Sequence, residues 1–295
     1  LLRGSSTGAD AGSDDAGVVL DGTTIDAGTG NVDVFGTGQR DVAGIIANAG
    51  SIASAGGAVL FDGRSEGGDG VRMDGFGIAS GGGDISILGY GGGISVYGSS
   101  TDAAGLVFGD GYYASMTSSG GDIELEGHGA TGGVALYAGS YGSSAIDSGG
   151  GDITVTGTAS AAGAIGVYSD GVDLIGGAGD VTVDGSAPSG IGILLANGAG
   201  VSTTTGAIAL IGTGATFGLD IADGAIDTDS GDISLTGTAL DPAATAGVRV
   251  AGGGLSTNGG DITVTGTSAG GVGVQLGDGG AFAIGSGGGA IGIEG

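Results

Sequence analysis

Residues 151–158 read Gly151-Asp152-Ile153-Thr154-Val155-Thr156-Gly157-Thr158, apolar and polar side chains alternating with the period of two that marks a strand with one buried face. The phrase returns as Gly83-Asp84-Ile85-Ser86-Ile87, Gly121-Asp122-Ile123-Glu124-Leu125, Gly179-Asp180-Val181-Thr182-Val183, Gly231-Asp232-Ile233-Ser234-Leu235 and Gly260-Asp261-Ile262-Thr263-Val264. Looser copies begin at Gly30, Gly57, Gly206 and Gly289. Each copy is closed by a glycine, from Gly36 to Gly295, and successive closing glycines lie 27, 26, 38, 30, 28, 27, 25, 29 and 29 residues apart. Self-similarity at that period places the chain among repeat architectures.

Room remains between copies for two further short strands. The second is expected at Val42 to Ile46, Val71 to Met73, Val134 to Tyr137, Ile165 to Tyr168, Ile191 to Leu195, Leu219 to Ile221, Val248 to Val250 and Val272 to Leu276. The third carries one main apolar residue, as at Ile52, Ile78, Met116, Ile146, Val201, Ile226, Leu255 and Ile284. The long coil from Gly89 to Gly127 offers both Ile94 to Tyr97 and Leu106 to Phe108, one of which is an extra strand or a protruding loop. Three strands and three turns in about 28 residues describe one rung of a right-handed parallel β-helix, an all-β solenoid of about ten coils spanning residues 1–295 as a single domain.

In such a rung backbone hydrogen bonds run to the coils above and below, roughly 4.8 Å away, so equivalent residues stack in columns. Ile153 and Val155 should point inward, Thr154 and Thr156 outward. The abundant glycine is expected at corners that need positive φ or close backbone approach, among them Asp170-Gly171, Asn197-Gly198, Asp223-Gly224 and Asp278-Gly279. Coil length varies mainly after the first strand, and in solenoids the face that accepts insertions is often the one that binds. No capping element is recognisable at either end, so the expectation is a segment of a longer repeat protein or a subunit that stacks on identical copies end to end.

Composition narrows the function classes. Asp and Glu total 32 against five Arg and no Lys, a net charge of −27, which argues against nucleic acid and against insertion in or adhesion to an anionic membrane. Without cysteine there is neither a disulfide framework nor a thiolate metal site, and no apolar run is long enough to span a bilayer.

The repeated Gly-Gly-Asp-Ile-x-Val-x-Gly-Thr units, interleaved with Gly-Val-x-Val strands and clearest from Gly120 to Gly295, resemble the large secreted bacterial exoproteins related to filamentous haemagglutinin. The resemblance implies a β-helical rod, export to the bacterial surface or extracellular space, and adhesive or structural work, with a host or matrix glycan or protein as partner. A head-to-tail filament or sheath subunit is the alternative in the same class, and a polysaccharide-acting β-helix enzyme the alternative in another.

Candidate sites follow from the columns. Asp84, Asp122, Asp152, Asp180, Asp232 and Asp261 would stack as a ladder whose carboxylates repel unless solvated, protonated or bridged, which makes Ca²⁺ the candidate ligand. The structural alternative is that Asp after Gly-Gly bonds its own turn, and Asn31, Ala58, Ala207 and Ala290 interrupt the ladder. No other cofactor is expected. A looser acidic group, Asp220, Asp223, Asp227 and Asp229, surrounds one corner. Eight of the 13 Phe and Tyr fall between Phe76 and Tyr141, and Tyr90, Tyr97, Tyr112, Tyr113 and Tyr141 are candidate partner contacts, against the alternative of a buried aromatic column. Glu124 and Glu126, roughly 7 Å apart on one strand face, have the spacing of an inverting glycosidase pair. The charge and the dispersed Arg speak against an enzyme, and the adjacent His128 reads as an exposed turn residue.

Overall fold

The computed structural model describes residues 1–7, 15–91, 104–109, 115–138, 144–278 and 281–295. It is an all-β solenoid: three parallel sheets of 11, 10 and 10 strands, each strand pairing with its equivalents in the preceding and following coils. Among the described residues every element is a strand and there is no helix. The recurrent sequence phrase forms the first sheet, as in Ile123–Gly129, Ile153–Ala159 and Val181–Ala187. Ile123, Ile153 and Val181 stand in one column, as do Leu125, Val155 and Val183. The sequence spacings are thus the pairing offsets, including the 38-residue step that joins Ile85 to Ile123.

The second and third sheets follow the expected positions. Ile165–Asp170 and Ile191–Ala196 are second-sheet strands, and Met116, Ile146, Val201 and Ile226 are the main apolar residues of short third-sheet strands. Leu106, Val107 and Phe108 are the regular second-sheet strand of the long coil, paired with Val71 and Val134 on either side; Ile94 to Tyr97 lies outside the described residues. Strands Ala16–Asp21, Thr24–Asp26 and Asp173–Gly177 complete coils for which the apolar pattern alone named no strand. At the start of the chain Leu2 pairs with Val34.

The interior holds one continuous aliphatic column from Leu20 to Val264, in which Ile153, Val155, Val181 and Val183 have no exposed surface. Burying each such side chain stabilises by about 1.5–3 kcal/mol, and only stacked neighbours can supply the cover. Phe61 and Phe76 pack at 6.5 Å between ring centroids, and Phe108 is also buried, so part of the aromatic cluster is core.

One expectation is corrected. The closing glycine does not end its strand: Ile153–Ala159 runs on past Gly157, and the same holds at Gly127, Gly185 and Gly237. These glycines do not have positive φ. They are required because the second-sheet strand of the same coil crosses against them; a Cβ on Gly157 would fall within 3 Å of the Gly166 carbonyl, and one on Gly166 would strike the backbone of the next coil. A glycine pair in every coil, such as Gly63 with Gly70 or Gly212 with Gly218, forms a neck. Beyond it lies a separate small cluster of Ala159, Ala164 and Ala187, so the cross-section tapers to a thin outer edge.

Corners divide into two kinds. The link from third to first sheet is always three to five residues, whereas those after the first and second sheets range more widely. Length varies most after the first sheet, where the link runs from two to 13 residues, as expected, and less after the second, where it runs from two to seven. Positive φ is used at Gly171 (69°) and Gly198 (80°), as the Asp-Gly and Asn-Gly corners predict, while Gly224 does not need it and 279 lies outside the described residues.

Gly157→Ala should destabilise the chain by about 3 kcal/mol or more, because the added methyl meets backbone that cannot yield without breaking coil pairing. Chemical denaturation of the two proteins checks this, with Thr263→Ala, exposed on the outer face, within about 0.5 kcal/mol of wild type.

Candidate functional site

Two sets of polar side chains act along the solenoid axis at the constant corner. The aspartates do stand in file, one per coil, and each reaches the next coil: Asp122 Oδ1 accepts the Asp152 N–H at 2.9 Å, Asp152 Oδ1 that of Asp180 at 2.9 Å, and Asp180 Oδ1 that of Ala207 at 2.7 Å. The file resumes from Asp232 to Asp261 at 2.8 Å and from Asp261 to Ala290 at 2.7 Å. Asp84 bonds the Asp122 N–H at 3.1 Å, and Asn31 does the same for Ala58 at 3.0 Å. The carboxylate therefore serves as one more carbonyl, extending the backbone ladder by a residue before the strand begins. The expected turn bond to its own backbone is replaced by a bond between coils. No group of three or more His, Cys, Asp or Glu poised around a metal ion occurs among the described residues.

The second set is a buried hydroxyl file, which the alternation of apolar and polar residues does not reveal. Ser80, Ser118, Ser148, Thr203, Thr228 and Thr257 are all buried three residues ahead of the corner glycine. Ser148 Oγ donates to the Gly151 carbonyl at 2.5 Å, Thr203 Oγ1 to that of Gly206 at 2.6 Å, and Thr257 Oγ1 to Gly231 of the preceding coil at 3.1 Å. The sequence signal is Ser/Thr-x-x-Gly ahead of most first-sheet strands, with Ala27 and Gly176 in its place ahead of Gly30 and Gly179. An isolated Ser in a glycine-rich turn otherwise reads as solvent-exposed.

The outer face of the first sheet brings Arg64 and the histidine together. Arg64, Tyr90, His128 and Thr158 are register neighbours from four successive coils. The Arg64 guanidinium lies 5.0 Å above the Tyr90 ring, and His128 stacks on the other face with centroids 5.1 Å apart and planes 17° from parallel. Arg64 is also paired with Asp62 at 2.9 Å, and Asp62 holds its pKa above the ordinary value. His128 is thus a half-buried strand residue, not an exposed turn: Nε2 meets Glu126 Oε1 and Nδ1 meets Thr158 Oγ1, each at 2.5 Å. Burial, reinforced by the Glu126 charge, pushes the Tyr90 phenol up. Glu124 bonds Ser86 at 3.2 Å instead of sharing a centre with Glu126. Thr158, His128 and Glu126 have the connectivity of a nucleophile, base and orienting acid. However, the adjacent N–H groups of Ser160 and Ala161 both donate to the Ala130 carbonyl and are not directed to an oxyanion.

Of the tyrosines expected to face a partner, Tyr90 has both ring faces covered and its phenol beside Glu126. Tyr97, Tyr112, Tyr113 and Tyr141 lie outside the described residues. Tyr137 packs edge-on to Tyr168 at 5.5 Å, and burial together with the Asp170 carboxylate pushes Tyr168 up to about 12.

The looser acidic group separates. Asp220 is buried and held bidentate by Arg249, at 2.8 Å to Nε and 2.7 Å to Nη2, while the guanidinium covers Phe217 at 4.6 Å. Partial burial, with Asp229 and Asp173 nearby, pushes Asp227 up.

Compared with protein-family models, curated proteins and solved structures, the chain finds no match in any of the three.

Asp152→Ala should cost about 1 kcal/mol, the scale of losing a side-chain acceptor for a backbone N–H at a helix cap, whereas Asp152→Asn should be close to neutral because Asn31 already fills this role. Urea unfolding midpoints separate the two. The raised pKa of Asp227 means that its ionised form disfavours the folded state, so stability falls as pH rises through the interval above 3.8. Asp227→Asn should be more stable than wild type at neutral pH, by no more than about 0.5 kcal/mol, with the gain vanishing as the pH is lowered through that interval. Thermal melts at a series of pH values check the sign.

Proposed function

We propose that the chain is a structural and adhesive rod segment of an extracellular bacterial surface protein. The observation that carries this reading is the axial bonding. Three backbone ladders and the aspartate and hydroxyl files all join one coil to the next, while coil length varies mostly after the first and second sheets. Such a body resists bending and presents its variable corner residues in rows, which suits a spacer that also makes contact. The charge of −27 favours a dispersed, hydrated surface and disfavours nucleic acid. The filamentous haemagglutinin-like repeat supports the same role at the bacterial surface.

Beads coated with the purified chain should adhere to extracellular matrix or host-cell surfaces, and pulling on a single molecule should release length in steps of one or a few coils. Adhesion no greater than that of bare beads, together with unfolding in one step at low force, would sink the proposal.

A further inference from the structure

The outer column Tyr90, His128, Thr158, Ser186 is the floor of a cavity of about 590 Å³. Its wall is the corner after the first sheet, with Ser160 and Pro188 projecting beside the floor. The lining runs from Ser65 to Pro188 and so crosses five successive coils, roughly 19 Å at the coil-to-coil spacing of a parallel sheet. This is a groove along the rod axis, and its shape fits a linear chain better than a compact ligand.

Its chemistry narrows the occupant. In a chain with 32 acidic residues, none of the described residues lining the groove is Asp, Glu, Lys or Arg. The floor instead supplies a phenol, two aliphatic hydroxyls and an imidazole whose nitrogens are already bonded to Glu126 and to the Thr158 hydroxyl, one group from each coil, and Ser160 adds another hydroxyl from the wall. Hydroxyls and phenols both donate and accept, matching the hydroxyls of a sugar. A peptide strand would require unpaired backbone groups of a sheet edge, but the groove runs across strands whose N–H and C=O groups are engaged between coils. An anionic polymer would find no Lys or Arg among those lining residues and would be repelled by the net charge. We infer that this groove binds an uncharged linear polysaccharide, laid along the axis and held by hydroxyl contacts repeated from coil to coil. Arg64 and His128 clamp the Tyr90 ring from both sides, fixing its edge and hydroxyl at one end before the ligand arrives. The inference deepens the adhesive role proposed above and rests on it for its biological setting.

Affinity electrophoresis through gels containing a soluble neutral β-glucan or galactomannan, with alginate gels in parallel, tests it. Retardation is expected in at least one neutral gel and not in alginate. Ser160→Trp, at an exposed position, should fill the groove and weaken that retardation at least tenfold, with an unchanged thermal melt. Thr263→Trp, on the same sheet outside the groove, should leave it intact. No retardation in either neutral gel, retardation in alginate alone, or equal retardation of wild type and Ser160→Trp overturns the inference. Bead adhesion read beside the gels separates the two proposals. Adhesion without retardation removes the groove and keeps the rod, whereas retardation without adhesion keeps the groove and removes the surface role.

Discussion

The hydrogen bond from a backbone N–H of one coil to a carbonyl of the next is the constraint from which the rest of this molecule follows. It sets successive coils at the spacing of a parallel sheet and holds register over long and irregular offsets, so that Ile85 lies over Ile123 across 38 residues as surely as Ile208 lies over Ile233 across 25. A single coil has no partner for these groups and no cover for its aliphatic side chains. Stability is a property of the stack. Columns are then unavoidable, and each selects its residue by its surroundings: aliphatic in the middle, glycine where two strands cross, hydroxyl where the chain turns under cover.

The polar columns show how an acid-rich repeat protein can place like charges in file. Each ladder aspartate sits where the ordinary carbonyl ladder has not yet begun and accepts the N–H that would otherwise face solvent. Asn31 makes the same bond without charge, so hydrogen-bonding geometry is the requirement and ionisation is secondary. The few arginines show the complementary economy: Arg3, Arg64 and Arg249 each lie over an aromatic ring, and Arg249 also neutralises the buried Asp220. A buried pair of this kind is costly to break from one side, because the remaining partner would be left charged and dehydrated.

Surface chemistry in a solenoid is likewise assembled by register. Arg64, Tyr90, His128 and Thr158 are far apart in the chain and adjacent on the outer face because each is the same step past its strand's inward pair. That arrangement turns a tyrosine that could have offered a flat ring into one with both faces occupied. It also leaves a furrow beside the corner in which none of the described lining residues is Asp, Glu, Lys or Arg, on an otherwise strongly acidic molecule.

The amino-acid sequence alone determined the repeat, the three strands per coil, the inward pair such as Ile153 and Val155, and the corners at Asp170-Gly171 and Asn197-Gly198. Each of these rests on a local rule of alternation or turn geometry that recurs every coil. Only the tertiary structure decided why Gly157 is glycine, since the carbonyl it must clear belongs to Gly166 on another strand of the coil. The same holds for the direction of the aspartates, whose partners are N–H groups about a coil away, and for His128, which looked like a turn residue because Gly-His-Gly carries no strand signal. Periodicity reports which side of the sheet a residue faces, but what it touches there depends on coil lengths and crossings that bring together residues too distant in sequence for any local pattern to record.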